Sequence, residues 1–144
     1  EAKIPVILAS LELARRYLLD SDQPIIDSPE KAVELLIDIR DKKQEYFVCL
    51  TLDGANRLIA KRVVTIGTLT ASLVHPREVF ADSIADRAAS IIVAHNHPSG
   101  SLEASRADKE VTNRLMEAGK LLGITLNDHI IVTKTDYKSL LHPE

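Results

Sequence analysis

No stretch of the 144-residue chain approaches the roughly 20 consecutive apolar residues of a membrane-spanning helix, which argues against a transmembrane anchor. Tryptophan is absent and aromatics make up only 3%, so the chain offers no extended platform for stacking nucleic-acid bases. Cys49 is the lone cysteine. It can form no internal disulfide, it excludes a multi-cysteine zinc knuckle, and it fits a reducing, cytoplasmic setting. A surplus of positive charge is also lacking. Eighteen basic residues against 21 acidic ones leave a net charge of −3, which gives no domain-wide grip on DNA or RNA. The chain begins at Glu1 rather than Met, as an excised fragment would, so a missing leader says nothing about residues upstream. What is present is ordinary for one globular domain: 45% hydrophobic and 27% charged residues.

No internal repeat or low-complexity tract breaks the chain. Leu8, Leu11, Ala14, Leu18 and Leu19 recur at helical spacing and predict a helix over Ile7–Leu19. Ser21-Asp22-Gln23-Pro24 ends it. A second helix is expected from Ser28, which can cap it, with Pro29 in the first turn and Ala32, Val33, Leu36 and Ile37 as its apolar stripe. The stretch 20–28 is thus the natural link between an N-terminal appendage, residues 1–27, and a main domain, residues 28–144. Residues 46–52 and 58–66 are β-rich runs around the turn Asp53-Gly54-Ala55-Asn56, which predicts a hairpin. A helix is expected from Pro76 to about Ala88. Ser90–Ala94 reads as a strand buried on both faces. A helix over Ser105–Leu122 follows, with Ala107, Val111, Leu115, Ala118 and Leu122 on one face and Gly123 ending it. Ile130–Val132 reads as the last strand. This order predicts an α/β domain, a sheet with helices on both faces.

The chemistry concentrates in His95-Asn96-His97-Pro98-Ser99-Gly100 and in Asp108. Two histidines at i and i+2, where a strand leaves the sheet, can turn toward one point. Imidazole nitrogen suits borderline divalent metals, and two imidazoles with one carboxylate leave a coordination position for water. A metal-free hydrogen-bond cluster is the plain alternative. Ser105-x-x-Asp108 also reads as a near capping box for the helix that follows. By residue frequencies, His-x-His-x7-Ser-x2-Asp arises by accident in roughly one chain of this length in several thousand. His95-Asn96-His97 is not spaced as a nuclease would need, and the Cys-x-x-Cys of a zinc deaminase is absent.

These residues match the His-x-His-x7-Ser-x2-Asp motif of JAMM (MPN-type) zinc metallopeptidases. The fuller context resembles the bacterial RadC family, through Thr70–Phe80, His95–Gly100 and Asp128-His129-Ile130-Ile131. The resemblance runs from about Glu45 to Leu141 and weakly into the N-terminal helix. It implies a three-layer sandwich with a mixed sheet, like that of cytidine deaminases. It implies Zn²⁺ held by His95, His97 and Asp108, with Glu45 as general base and Ser105 donating a hydrogen bond to the oxyanion. Glu78, inside a family-like stretch, is the rival for the base. The implied activity is hydrolysis of a peptide or isopeptide bond in a peptide or protein substrate. A DNA-repair or recombination accessory module without turnover is the alternative, and the net charge lends it no support from this domain. Asn96 stands where the eukaryotic deubiquitinases carry Ser or Thr, which argues against a ubiquitin-like substrate. His129 beside an apolar strand reads as a structural residue, or as a support behind the metal site, together with Asp128. Cys49 reads as a small buried hydrophobe and Arg77 as the partner of a neighbouring acid.

Overall fold

The computed structural model describes residues 23–70 and 72–143. The helix expected over Ile7–Leu19 lies outside the described residues. The elements are α1 (Pro29–Glu34), a single 3₁₀ turn (Ile37–Ile39), β1 (Tyr46–Leu52), β2 (Leu58–Ile66), α2 (Pro76–Ala85), β3 (Ser90–Asn96), α3 (Arg106–Leu122), β4 (Thr125–Val132) and β5 (Tyr137–Ser139). The sheet order is β2-β1-β3-β4-β5. β3 and β4 pair parallel and the other neighbours antiparallel, so the sheet is mixed.

The hairpin forms where expected. Asp53 builds its turn by accepting from the backbone N–H of Ala55 and of Arg57, at 2.8 and 2.9 Å, and Asn56 takes a positive φ of 62° that its side chain tolerates. Strand alternation then sorts the core into two layers. Phe47, Cys49, Ile91 and Val93 point toward α2 and α3, where Val79, Phe80, Val111 and Leu115 meet them. Val48, Leu50, Leu52, Ile92 and Ala94 point the other way and pack with Ile26, Ala32, Val33, Leu36 and Ile39 around α1. Helices cover both faces of a five-stranded sheet, which makes the domain a three-layer α/β sandwich. Each such buried aliphatic side chain contributes about 1.5–3 kcal/mol by leaving water. Pro24 to Ile26 lie against the hairpin turn, with Ile26 N–H donating to Asn56 O at 2.7 Å.

Five details differ from the sequence reading. β3 runs two residues past Ala94 and takes in His95 and Asn96, because β1 pairs with it as far as His95 and β4 as far as Asn96. β4 begins at Thr125, five residues before the apolar run, so Asn127, Asp128 and His129 are strand residues; Asn127 is an extra residue between the pairs Ile91–Leu126 and Ile92–Asp128. β5 is an additional three-residue strand paired with Ile130–Val132. Helix α1 stops at Glu34, and the 3₁₀ turn that follows shifts the phase. Leu36 and Ile39 are therefore buried while Ile37 is 68% exposed. On α3 the buried stripe is Asp108, Val111, Thr112, Leu115 and Gly119, and Leu122 faces outward. Gly123 ends α3 with φ +73°, a left-handed position that favours glycine.

Candidate metal centre

His95 is the sixth residue of β3 and is fully enclosed, cross-strand from Phe47 and beside Ile131. The Phe47 ring lies over it, 6.1 Å between centroids at 20°. His97 follows the strand end. Its backbone N–H donates to Val132 O at 2.9 Å, and its Nδ1 lies 2.8 Å from the Ser101 carbonyl. The third group arrives from the start of α3. Ser105 Oγ accepts from Asp108 N–H at 3.1 Å, and Asp108 Oδ2 accepts from Ser105 N–H at 2.7 Å, a complete capping box. The box turns the Asp108 carboxylate back toward β3. Its Oδ1 lies 3.0 Å from His95 Nε2 and its Oδ2 lies 3.2 Å from His97 Nε2, while the two Nε2 atoms are 2.9 Å apart. The sequence-predicted trio is thus brought together.

The donor set asks for a cation. A carbonyl can only accept, so His97 Nδ1 carries a proton toward Ser101 and its Nε2 is a lone pair whenever the ring is neutral. The carboxylate is acceptor-only. The His97 lone pair and the Asp108 carboxylate therefore face one another across 3.2 Å in a site closed to water on most sides, an arrangement that positive charge between them stabilises. In the metal-free protein a proton on His97 can supply it: the hydrogen bond to Asp108 raises the His97 pKa, against the opposing effect of burial. Burial pushes the Asp108 carboxyl up, but the adjoining imidazoles of His95 and His97 outweigh it and hold it well below the usual carboxylate range. A tetrahedral ion with bonds of roughly 2.0–2.2 Å sets its ligand atoms about 3.3 Å apart, close to the separations here. Two imidazoles and one carboxylate are the ligand types of a catalytic zinc site with a free position, so these residues fit the ion.

Glu45 immediately precedes β1 and lines the same cleft, with Thr68, Leu69, Ser105 and Asp108. Its Oε2 accepts from Leu69 N–H at 2.7 Å, which fixes one carboxylate oxygen. Asn96 holds the chain around it. The Asn96 side chain accepts from Tyr46 N–H at 2.6 Å and donates to Gln44 O at 2.9 Å and Lys42 O at 3.3 Å, tying the residues on both sides of Glu45 to the strand between the two histidines. Glu78 is on α2, well exposed and 3.6 Å from Arg77, and it is not part of the cleft. Arg77 has that neighbouring acid as its partner.

Asp128 and His129 part company because neighbours on a strand face opposite ways. Asp128 sits opposite Ile92, buried, and accepts from Ser139 Oγ–H at 2.6 Å and from His129 N–H at 2.8 Å, so it pins β5. His129, opposite Val93, places Nε2 2.9 Å from His95 Nδ1 and Nδ1 2.6 Å from Thr112 Oγ1. It stands behind a candidate ligand. Thr112 and the grip of Asn96 were not singled out from sequence. The available signal was spacing, since Thr112 follows Asp108 by one helical turn. Cys49 is buried with its thiol pushed up to about 12 by burial, an inert core residue.

A mixed five-stranded sheet between helices, with His-x-His leaving the central strand and an aspartate in the first turn of the next helix, defines a JAB-type (JAMM/MPN) domain. The RadC-like JAB domain family matches residues 26–144. Curated relatives include a UPF0758 protein of Methanospirillum hungatei, 49% identical over 142 residues, covering 96% of this chain and 63% of the relative. A UPF0758 protein of Bacillus licheniformis is 51% identical with the same coverage, and the UPF0758 protein YsxA of Bacillus subtilis is 47% identical over 137 residues, 93% of this chain and 59% of the relative. The chain belongs to the RadC family. It spans about three-fifths of the length of these relatives.

Proposed function

We propose that this domain is a zinc-dependent hydrolase that cleaves a peptide or isopeptide bond. The observation that carries the reading is the convergence of two imidazole Nε2 atoms and one carboxylate, each about 3 Å from the next, in a cleft that also holds Glu45 and Ser105. His95, His97 and Asp108 would hold the zinc, which lowers the pKa of a water to near 7 and supplies a nucleophile at neutral pH. Glu45 keeps one oxygen on the Leu69 N–H and uses the other to take the water's proton. As the water oxygen attacks the carbonyl carbon, charge grows on the carbonyl oxygen. Ser105 Oγ, which accepts from Asp108 N–H, still has its own proton to donate there. Glu45 then hands its proton to the amine as the C–N bond breaks.

A peptide or protein substrate, a cytoplasmic setting and no nucleic-acid contact through this domain belong to the same reading, in line with the lone cysteine and the net charge of −3. The test is a peptide library incubated with zinc-loaded protein and read by mass spectrometry for new termini. Wild type should produce them, and Glu45→Gln should bind one zinc per chain yet produce none. Zinc-loaded wild type that generates no new termini, from library or folded protein, would overturn the hydrolase.

A further inference from the structure

We infer that Thr112 and His129 form a hydrogen-bond relay that fixes the tautomer of His95 and so presents its Nε2 as a bare metal ligand. The inference rests on the metal reading above and deepens it. The relay starts at a group whose role is unambiguous. The backbone carbonyl of Asp108 can only accept, so the Thr112 hydroxyl, 2.8 Å away, spends its one proton on it. The Thr112 oxygen can then only accept at its other contact, the 2.6 Å approach of His129 Nδ1. His129 Nδ1 therefore carries a hydrogen. The ring is wholly buried and its nitrogens meet a hydroxyl and an imidazole rather than a carboxylate, so nothing there supports a charged ring; with the hydrogen on Nδ1, its Nε2 is a lone pair. His95 Nδ1, 2.9 Å from that lone pair, must be the donor. The proton of a neutral His95 is then on the far side of the ring, and its Nε2 faces Asp108 and His97 unprotonated.

The relay begins at the Asp108 carbonyl and ends at His95, whose bare Nε2 faces the carboxylate of the same Asp108. It binds α3, β4 and β3 into one unit. Phe47 seals it, its ring edge-on to His129 at 5.8 Å and stacked on His95, which leaves neither imidazole another polar partner on that side. Thr112 and His129 touch no reacting atom. They are positioning residues, and partners of this kind are typically worth about 10- to 100-fold in metal affinity.

The experiment compares wild type, Thr112→Val and Thr112→Ser. Valine keeps the shape of threonine but removes the acceptor. His129 then loses its reason to keep a proton on Nδ1, and moving it to Nε2 forces His95 onto the Nε2–H tautomer, which Asp108 accepts. Zinc affinity, measured by competition with a chromophoric chelator, should fall about 10- to 100-fold in Thr112→Val and stay within about threefold of wild type in Thr112→Ser. Nitrogen-15 spectra of the metal-free proteins should show His95 and His129 protonated at Nδ1 in wild type and at Nε2 in Thr112→Val. A wild-type His95 protonated only at Nε2 overturns the relay, as does a Thr112→Val protein with unchanged tautomers and affinity. If wild type binds no zinc, the metal reading falls, and the tautomers of the metal-free wild type still decide the relay.

Discussion

Asp108 and Asp128 are both nearly removed from water, at 1% and 3% exposure, yet their surroundings are opposite in kind. Asp128 is met by donors: the Ser139 hydroxyl and the backbone N–H groups of His129 and Leu141. Asp108 has one backbone donor, Ser105 N–H, and otherwise faces two imidazole nitrogens. A buried carboxylate ringed by N–H and O–H groups is a fastener. One that meets imidazole nitrogens instead is a candidate ligand, because a cation can complete the set.

The sharpest way to break this contrast is to load the metal. Zinc at roughly 1,000 times its dissociation constant should raise the unfolding free energy of wild type by about 4 kcal/mol. Asp128→Asn should gain as much, and Asp108→Asn should gain almost nothing, as calorimetry with and without chelator would show. Equal zinc stabilisation of all three proteins would erase the distinction. The next effect in size runs the other way: metal-free Asp128→Asn should be about 1–3 kcal/mol less stable than wild type in urea titrations, since buried donors lose a charged acceptor.

A third test uses pH. The His97 pKa in the metal-free protein is raised above 6.5 by Asp108, so its stabilising contribution is complete below the unfolded value and is lost as pH rises through the folded one. Asp108, depressed far below the carboxylate range, contributes evenly across that window. Above about pH 7, where the buried neutral His129 has already made its full contribution, the metal-free protein should lose stability as His97 gives up its proton, whereas zinc binding should strengthen because a ligating imidazole must be neutral. Thermal melts on both forms would reveal the opposite slopes, and parallel slopes would count against the site. The smallest effect belongs to Glu78→Gln, which should leave zinc affinity unchanged and stability within about 0.5 kcal/mol of wild type.

Much of this was legible in the sequence, for reasons tied to particular residues. His95, His97 and Asp108 are bound into short local patterns, a strand exit and a helix start, and local patterns survive translation into three dimensions. Ser105 could be read as a cap for the same reason, and the observed capping box is complete. The two-faced core followed from the apolar runs of β1 and β3. The start of β4 was hidden because Asn127, Asp128 and His129 are polar, and polar strand residues are recognisable only once their buried partners are known. β5 is three residues long and is held by Asp128 and Ser139 rather than by apolar periodicity. The hold of Asn96 on the chain around Glu45 spans 50 residues or more, and that of Thr112 on His129 spans 17, distances at which spacing carries no signal.

The extra residue in β4 has a consequence for inheritance of the site. Were Asn127 drawn into the ladder opposite Ile92, with Leu126 still opposite Ile91, every later residue of β4 would slide by one rung. Asp128 would turn beneath α3 and His129 would be carried to the opposite side of the sheet, so an anion would stand behind His95 in place of an imidazole. Deleting Asn127 would leave both pairings as they are, whereas ironing the irregularity flat with the residue kept would exchange the anchor for the relay in a single step.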